Sequence, residues 1–289
     1  MNSKAERRSW LQHHHTRAYE IATRITRMVS GTRDPADLTF LEDLMIEYVR
    51  PWCTSTAVHQ LAEVIMDEMF LFDRNGPYVE HVDEAGRRRR YLPVDVLMQS
   101  HRIRDGEMFT VPEPFGQNVR SISRVRPGDD RKDPIVEACH AHYIGLSDSE
   151  DYRELTEYLC DEVFRIIFPN RLLLARIHEL LAPRVAALPV DHLREAPGAG
   201  IFVLPDGSIR RMTPPEHFLR AVFFRDLGRC VHCERRVEGI FESVMPMANF
   251  EFMVSPDEGG LQDYTNLQLV CGNCKPTPPE QYVPRLFSV

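Results

Sequence analysis

Four cysteines toward the carboxyl end of the chain have the residue type and spacing of a metal site. Cys230 and Cys233 form one C-x-x-C unit, and Cys271 and Cys274 form a second. Thiolates at positions i and i+3 of a tight turn bind one ion together, and two such turns complete a tetrahedral shell that suits Zn²⁺. Because four thiolates leave no coordination position open to water, the predicted zinc is structural and not catalytic.

The sequence leaves other roles open for these cysteines. They could be four unrelated buried side chains, or either pair could be a redox disulfide. His232 could replace a cysteine ligand, but its position inside the first turn predicts that it points outward. The chain has seven cysteines in 289 residues, too few and too unevenly placed for a disulfide framework. Paired C-x-x-C units in a cytosolic protein therefore favour metal.

Two longer stretches surround the cysteine pairs. Residues 225–233 read R-D-L-G-R-C-V-H-C and follow a helix that is predicted to open at Thr213-Pro214-Pro215-Glu216. Residues 259–274 read G-G-L-Q-D-Y-T-N-L-Q-L-V-C-G-N-C. Together they resemble the two conserved ends of zinc-containing HNH endonucleases, R-D-x-G-R-C-x-x-C and G-G-x-x-D-x-x-N-L-Q-L-L-C-x-x-C. The resemblance covers about residues 213–275 of the chain.

This resemblance implies a ββα-metal fold and assigns roles by position. In the family, an Asp-His pair on the first strand supplies a metal-binding carboxylate and the base that activates water, and it falls on Glu251 and Phe252. The family's central asparagine, which orients a loop, matches Asn266. The family's last metal ligand falls on Lys275, and the helix that carries it falls on the proline-rich residues 276–279. Proline inside a helix costs about 3 kcal/mol or more, so that helix is predicted to be short, displaced or missing.

Three functional hypotheses follow. The first is a pseudo-nuclease: phenylalanine cannot take a proton, and losing a positioned base typically removes about 100- to 10,000-fold in rate. In that case the module is a zinc-braced binding scaffold, by analogy within a nucleic-acid-processing or defence assembly. The second is an active, divergent endonuclease that uses Glu251 and Asn266 with Mg²⁺ or Mn²⁺. The third is a protein–protein adaptor whose helical amino-terminal region does the work.

Arginine clusters are the candidate nucleic-acid contacts, because guanidinium groups recognise phosphate well. The plain alternative for the first cluster is a solvated strand edge balanced by neighbouring acidic residues. A net charge of −8 and a pI near 5.9 lower the expectation of broad affinity for polyanions. The candidates are Arg87, Arg88, Arg89 and Arg90 in the first cluster, and Arg120, Arg124 and Arg126 in the second.

A third group of metal-ligand residue types lies at Cys139, His140 and His142. Helical spacing puts only Cys139 and His142 on one face, and the sequence offers no fourth partner. The sequence therefore predicts an ordinary helix here, with satisfied side chains.

The elements that must position these residues are mostly helical. Apolar residues spaced three and four apart predict several helices before residue 183, and turn residues 83–86 predict a β-hairpin between 78–82 and 88–92. Proline and glycine concentrate between residues 183 and 200. We therefore predict an α+β protein with a mostly helical domain over 1–195 and an HNH-like zinc domain over 200–289.

Composition narrows the class of protein and the cellular compartment that we expect. The chain is 43% hydrophobic and 27% charged, which is typical of a soluble globular protein. It has no long apolar run and no apolar signal core after Met1, so we expect a cytoplasmic protein without a membrane anchor. A protein partner or an oligomer is expected, and nucleic acid is a candidate partner.

Overall fold

The computed structural model describes residues 4–31, 50–82, 86–104, 107–113, 133–195, 202–204, 209–237 and 247–275. Several sequence predictions lie outside these residues. They are the helix starting at Asp34-Pro35, the strand over residues 119–125, the basic positions Arg120, Arg124 and Arg126, and the prolines after Lys275.

The described chain is mixed α+β and rich in helix, as predicted. Two small antiparallel sheets of two strands each, β1–β2 and β3–β4, accompany the helices. In chain order the elements are α1 (Lys4–Val29), α2 (Ala57–Asp73), β1 (Val79–Val82), β2 (Arg88–Tyr91), α3 (Pro93–His101), α4 (Pro134–Ser147), α5 (Glu150–Ile167), α6 (Arg171–Ala186), α7 (Val190–Glu195), α8 (Glu216–Arg225), β3 (Phe250–Phe252) and β4 (Leu267–Leu269). Short 3₁₀ helices at Met247–Asn249, Pro256–Glu258 and Tyr264–Asn266 flank β3 and β4. No helix in the described parts of the chain combines the length and the apolar character that a membrane crossing requires.

Apolar stripes at helical spacing form the core faces. In α1, Ile21 and Ile25 are fully buried, and in α2 the same holds for Val58 and Leu61. The charged positions of α2 lie on its other face, where Glu63 is exposed. Side chains three and four residues apart lie on one side of a helix, so burying that apolar side stabilises the helix against the core. The predicted stripes are thus confirmed for these helices.

The predicted hairpin is confirmed, and the sequence analysis missed the helix that follows it. β1 pairs with β2 in a register that sets Val82 opposite Arg88. The helix α3 then begins at Pro93, with Leu92 as its N-cap residue. Proline at the first helical position was the available signal, because its missing N–H would be unpaired there in any case.

Two helix boundaries differ from the sequence prediction. The predicted helices were placed before residue 183, but α6 continues to Ala186 with Pro183 inside it. The proline removes the helical bond to the carbonyl of residue 179, while the neighbouring Arg184 guanidinium donates to the carbonyl of Leu180. The helix α8 begins at Glu216 with Pro215 as N-cap and without a capping side chain, so Thr213 does not cap it.

The chain divides into two compact units, Met1–Ile25 with His59–Phe164 and Thr26–Val58 with Arg165–Val289. The second unit contains the four cysteines together with α6 and α7. The domain limits at residues 195 and 200 stay a prediction.

Paired glycines hold a loop of the second unit close to its neighbours. Gly259 has φ +86, and a Cβ there would lie 2.2 Å from the carbonyl oxygen of Ala182 in α6. A Cβ on Gly260 would lie 2.0 Å from the carbonyl oxygen of Val254. Backbone oxygens cannot move away cheaply, so both positions require glycine. This close approach is a physical reason for the G-G in the sequence.

We expect Gly260→Ala to lower the free energy of unfolding by at least about 2 kcal/mol, because the new methyl group overlaps a backbone carbonyl. Urea denaturation monitored by circular dichroism measures the change. The matched control is Gly272→Ala, where a Cβ meets no atom within 4 Å. Equal losses in the two variants would contradict the proposed steric cause.

Candidate metal centre

The four cysteine sulfurs converge on one point. The Sγ atoms of Cys230, Cys233, Cys271 and Cys274 all lie within 4.8 Å of one another, and those of Cys233 and Cys271 are 3.7 Å apart. A tetrahedral ion with Zn–S bonds of about 2.3 Å places its sulfurs about 3.8 Å apart. The cluster could therefore bind a metal, and its donor set and spacing are compatible with Zn²⁺. Four sulfur donors in this arrangement fit a structural site.

Backbone hydrogen bonds place the two turns side by side. The N–H of Val231 in the first turn donates to the carbonyl of Leu269 in β4, at 3.0 Å. In the second turn, the N–H of Cys274 donates to the carbonyl of Cys271, also at 3.0 Å. The first turn follows α8 through Leu227 and Gly228, both with positive φ. The end of α8 and the end of β4 are thus the elements that position the sulfurs.

An ion pair beside the first turn fixes β4. Arg225 donates to both carboxylate oxygens of Asp226, at 2.8 and 2.9 Å, and also to the carbonyl of Leu267. Asp226 in turn accepts from the N–H of Leu269 at 2.9 Å. Both side chains are almost fully buried. The R-D pair of the sequence motif therefore joins the helix end to the strand that leads into Cys271.

The cluster is buried at one side and open at the other. Cys230 is 1% exposed and packs with Val231 and Val270, whereas Cys233 is exposed. Burial acts to raise the pKa of Cys271, but hydrogen bonds from Cys233 and Cys274 lower it to about 7. Hydrogen bonding to Cys233 raises the pKa of Cys274 to about 12. Four thiolates this close repel one another, so a cation among them favours the fully ionised cluster.

Glu251 has two side-chain partners beside the first cysteine turn. Its Oε1 lies 2.7 Å from Nε2 of His232 and accepts from Nε2 of Gln268, also at 2.7 Å. The His232 side chain is only 19% exposed. His232 is not one of the four converging ligand residues, as predicted, but its side chain does not face solvent, because the Glu251 carboxylate on β3 gives it a hydrogen-bonding partner. Gln268 was missed, although it faces Glu251 directly in the β3–β4 register.

Phe252, at the position where the sequence resemblance would place a general base, packs against an aromatic ring from a distant part of the chain. The rings of Trp52 and Phe252 are stacked with centroids 6.0 Å apart and an interplanar angle of 27°. Trp52 is held by its indole N–H, which donates to the carbonyl of Met212, and by its backbone N–H, which donates to the carbonyl of Gln262. No local pattern in the sequence connects these residues.

Asn266 is fully buried and uses its amide to shape a loop. Its oxygen accepts from the N–H of Val254, and its NH₂ group donates to the carbonyls of Val254 and Leu261, each at 2.9 Å. This geometry suits the loop-orienting role that the resemblance implies. The Lys275 ammonium donates to the carbonyl oxygens of Ala248 and Phe250, at 2.9 and 3.4 Å.

Buried ionisable groups lie behind this loop. Burial raises the pKa of Asp263 to about 6, although the N–H groups of Ala57 and Thr265 donate to its carboxylate and act to lower it. Burial, helped by the charge of Arg225, lowers the pKa of His178 to about 3. Its Nε2 lies 2.9 Å from the Thr265 hydroxyl. His178 is therefore neutral in the folded protein at ordinary pH.

The arginines predicted to contact nucleic acid differ in their surroundings. Arg87 and Arg88 are exposed, whereas Arg89 and Arg90 are half-buried. Arg90 donates to the carbonyl of Pro112 at 2.8 Å and lies over the Tyr78 ring. Alternate residues of a strand point to opposite faces, so the four arginines do not form one surface.

Cys139, His140 and His142 each contact a different partner and do not converge on one point. His142 contacts Asp95, His140 contacts Arg74, and Cys139 contacts the Tyr78 hydroxyl. Over the described ranges, the four-cysteine cluster is the metal-ligand group that the structure brings together. The expectation of satisfied helical side chains is confirmed for these residues.

Comparisons with known proteins found no matching family model, no matching curated protein and no matching solved structure.

We expect Cys230→Ser to lower bound zinc from about one ion per chain and to unfold the second compact unit, because one thiolate of the shell is lost. Metal analysis of the purified chain and its thermal melt measure both effects. The control is Cys53→Ser, since Cys53 lies outside the cluster. Full zinc content in Cys230→Ser would contradict the assignment of this ligand.

We expect His178→Gln to reduce the acid sensitivity of folding. A histidine whose pKa is lowered in the fold contributes stability above pH 6.5, which is lost as the pH falls toward 3, at up to about 1.4 kcal/mol per pH unit. Asp263, whose pKa is raised to about 6, opposes this loss, because its contribution grows as the pH falls below 6. Urea unfolding at pH 6.5, 5.5 and 4.5 compares the two proteins.

Proton competition for the cysteines affects both proteins alike, so the difference between their pH profiles isolates His178. Asp263→Asn is the complementary variant and should steepen the acid loss. Parallel profiles for the original protein and His178→Gln would show that the buried imidazole does not govern acid stability.

Proposed function

We propose that residues 213–275 form a zinc-stabilised module that resembles HNH endonucleases. In this module, the residues at the positions of the nuclease site stabilise the fold, and the module acts as a binding scaffold. The proposal joins the four-cysteine cluster to the sequence resemblance. The zinc is structural, with Cys230, Cys233, Cys271 and Cys274 as its ligands.

The observation that carries the proposal is the stack between Phe252 and Trp52. A general base must reach the proton it removes and must be able to accept it. At position 252 an aromatic hydrocarbon ring takes the place of that base and packs against the indole. The position thus contributes apolar contact to the unit in place of proton transfer.

The other nuclease positions support the same proposal. Asn266 directs its amide to three backbone groups of its own loop. Lys275 donates to backbone carbonyls at the start of β3 and adds a positive charge where the family has a metal ligand. A second divalent cation beside this ammonium would be repelled.

The partners of such a scaffold follow from its chemistry. We propose a protein partner or an oligomer, with nucleic acid as a further candidate through Arg87, Arg88 and Arg89 on the hairpin. Four reduced thiols suit the cytoplasm. A nucleic-acid-processing or defence assembly is the setting proposed by analogy with HNH proteins.

One observation favours a second candidate, an active and divergent metal-dependent endonuclease. His232 and Glu251 lie 2.7 Å apart beside the cysteine cluster, and a carboxylate can orient an imidazole for proton transfer. In this alternative, Glu251 or His232 takes the part that Phe252 cannot play, with Mg²⁺ or Mn²⁺ as the cofactor.

We expect the zinc-loaded protein to leave plasmid and single-stranded DNA intact in the presence of Mg²⁺ or Mn²⁺, because the base position carries no proton acceptor. Gel electrophoresis of the substrates measures cleavage, and metal analysis of the same sample verifies the zinc content. Cutting above background by the original protein would argue for the second candidate.

Three variants identify the source of any cutting. Activity that disappears in both Glu251→Ala and His232→Ala, but persists in His217→Ala, would sink the pseudo-nuclease proposal. His217 is the matched control because it is an exposed histidine on α8. Cutting that survives in all three variants would come from a contaminating nuclease, and the proposal would stand.

A further inference from the structure

The carboxylate of Glu251 connects the strand β3 to the first cysteine turn. Glu251 is the middle residue of β3, between Phe250 and Phe252. Successive side chains of a strand point to opposite faces, so the two phenylalanines lie on the face away from Glu251. Phe250 is buried, and Phe252 stacks on an indole ring. The other face of β3 meets the cysteine turn, because Oε1 of Glu251 lies 2.7 Å from Nε2 of His232.

The Glu251 carboxylate is held by two donors. A carboxylate accepts hydrogen bonds and cannot donate them, so Nε2 of His232 and Nε2 of Gln268 both donate to Oε1. Gln268 stands opposite Glu251 in the β3–β4 pairing and is itself buried. The Glu251 side chain is only 14% exposed, and hydrogen bonds to a charged group are strongest where water is largely excluded. These bonds therefore fix the His232 ring against β3.

His232 contacts a metal-ligand residue through its main chain. It lies between Cys230 and Cys233, and the backbone N–H groups of His232 and Cys233 donate to the Cys230 sulfur. Hydrogen bonds from the surroundings of a metal site orient its ligands and strengthen their binding to the ion. Glu251 thus acts on the Cys230 sulfur through a single residue.

The second cysteine turn reaches the same strand through Lys275. The backbone N–H of Lys275 donates to the carbonyl of Cys271 at 3.1 Å, and its ammonium donates to the carbonyl of Phe250 at 3.4 Å. Each cysteine turn therefore sends a side chain to β3. Because β3 has only three residues, contacts with the two turns are an important part of what holds it in place.

A divalent cation at Glu251 fits these residues less well. Mg²⁺ and similar ions take several oxygen ligands. In the parts of the chain that the structure describes, no third residue of ligand type converges on Glu251 and His232. The Oε1 atom of Glu251 already accepts from two donors, and the Lys275 ammonium beside the neighbouring Phe250 carbonyl would repel a cation.

We propose that Glu251 is a positioning residue of the zinc site. It holds the first cysteine turn through His232, while Gln268 holds the carboxylate, and this contact slows the loss of the ion. The inference rests on the proposed function, because it takes the bound ion to be a structural zinc. It gives Glu251 a role in metal retention in place of the cation-binding role that the resemblance implies.

The rate of zinc loss from the full zinc-loaded chain tests this role. An excess of a coloured chelator captures the released zinc, and its absorbance follows the release. We expect Glu251→Ala and His232→Ala each to speed release about tenfold, as is typical when a partner of a metal ligand is lost. Glu251→Gln should stay within about threefold of the original protein, because the amide oxygen can accept the same two hydrogen bonds.

A double variant tests whether the two side chains act as one unit. Glu251→Ala combined with His232→Ala should release zinc no faster than either single variant, because their contact can be lost only once. The matched control is Glu258→Ala, which removes an exposed glutamate from the same compact unit. This control should stay within about twofold of the original protein.

A general loss of stability is separated from loss of the contact by Leu174→Ala. Leu174 is fully buried in α6 and lies outside the cysteine cluster and its apolar neighbours. Its truncation destabilises the unit by leaving a cavity. Urea unfolding of the zinc-loaded proteins measures stability. Glu251→Ala should release zinc faster than Leu174→Ala, even if Leu174→Ala is the less stable of the two.

Three outcomes would overturn the inference. They are unchanged zinc release in Glu251→Ala and His232→Ala, equal acceleration by Glu251→Gln and Glu251→Ala, and equal acceleration by a Leu174→Ala variant of similar stability. If Glu251→Ala does not fold, His232→Ala removes the same contact from the turn and decides the outcome. The proposed function is tested on DNA cleavage and on the zinc content of the original protein, so its failure stays distinct from failure here.

Discussion

The convergence of four thiol groups within 4.8 Å is the constraint on which the second unit depends. Thiolates repel one another, so this arrangement is stable only when the sulfurs keep protons or share a cation. The strands β3 and β4 have three residues each, too short to be stable as an isolated pair. A metal ion bound by the four sulfurs would cross-link the end of α8 to the end of β4 and compensate for this shortage of regular structure.

Buried side chains replace secondary structure in the rest of the unit. Asp226, Asp263 and Asn266 each accept from backbone N–H groups, which belong to the end of β4, the first residue of α2, a 3₁₀ turn and the loop after β3. Such groups must be paired once water is excluded, and a chain without long strands has few backbone partners to offer. The polar residues of the motif are therefore explained by their hydrogen bonds to backbone groups, whether or not any chemistry takes place nearby.

Much of the local structure could be predicted from the sequence, because helical stripes, proline-led helix starts and C-x-x-C spacing act over a few residues. Ile21, Val58 and the four cysteines are examples. Contacts over long separations could not be predicted: no pattern links Trp52 to Phe252, or His178 to Thr265. The partner of His232 could not be predicted, because Glu251 lies 19 residues away on β3. The helix α6 continues past Pro183 because packing outweighs one lost hydrogen bond.

The stack of Trp52 on Phe252 also restricts how this chain could change over evolutionary time. Histidine at position 252 would place a polar ring against the indole, and losing Trp52 would leave that ring without its cover while also freeing the carbonyl of Met212. Under the proposed function, regaining a base at position 252 would therefore pass through intermediates that fold less well than either end. The stacked pair therefore makes the residues at positions 52 and 252 difficult to replace, so later selection acts on what the surface of the module binds.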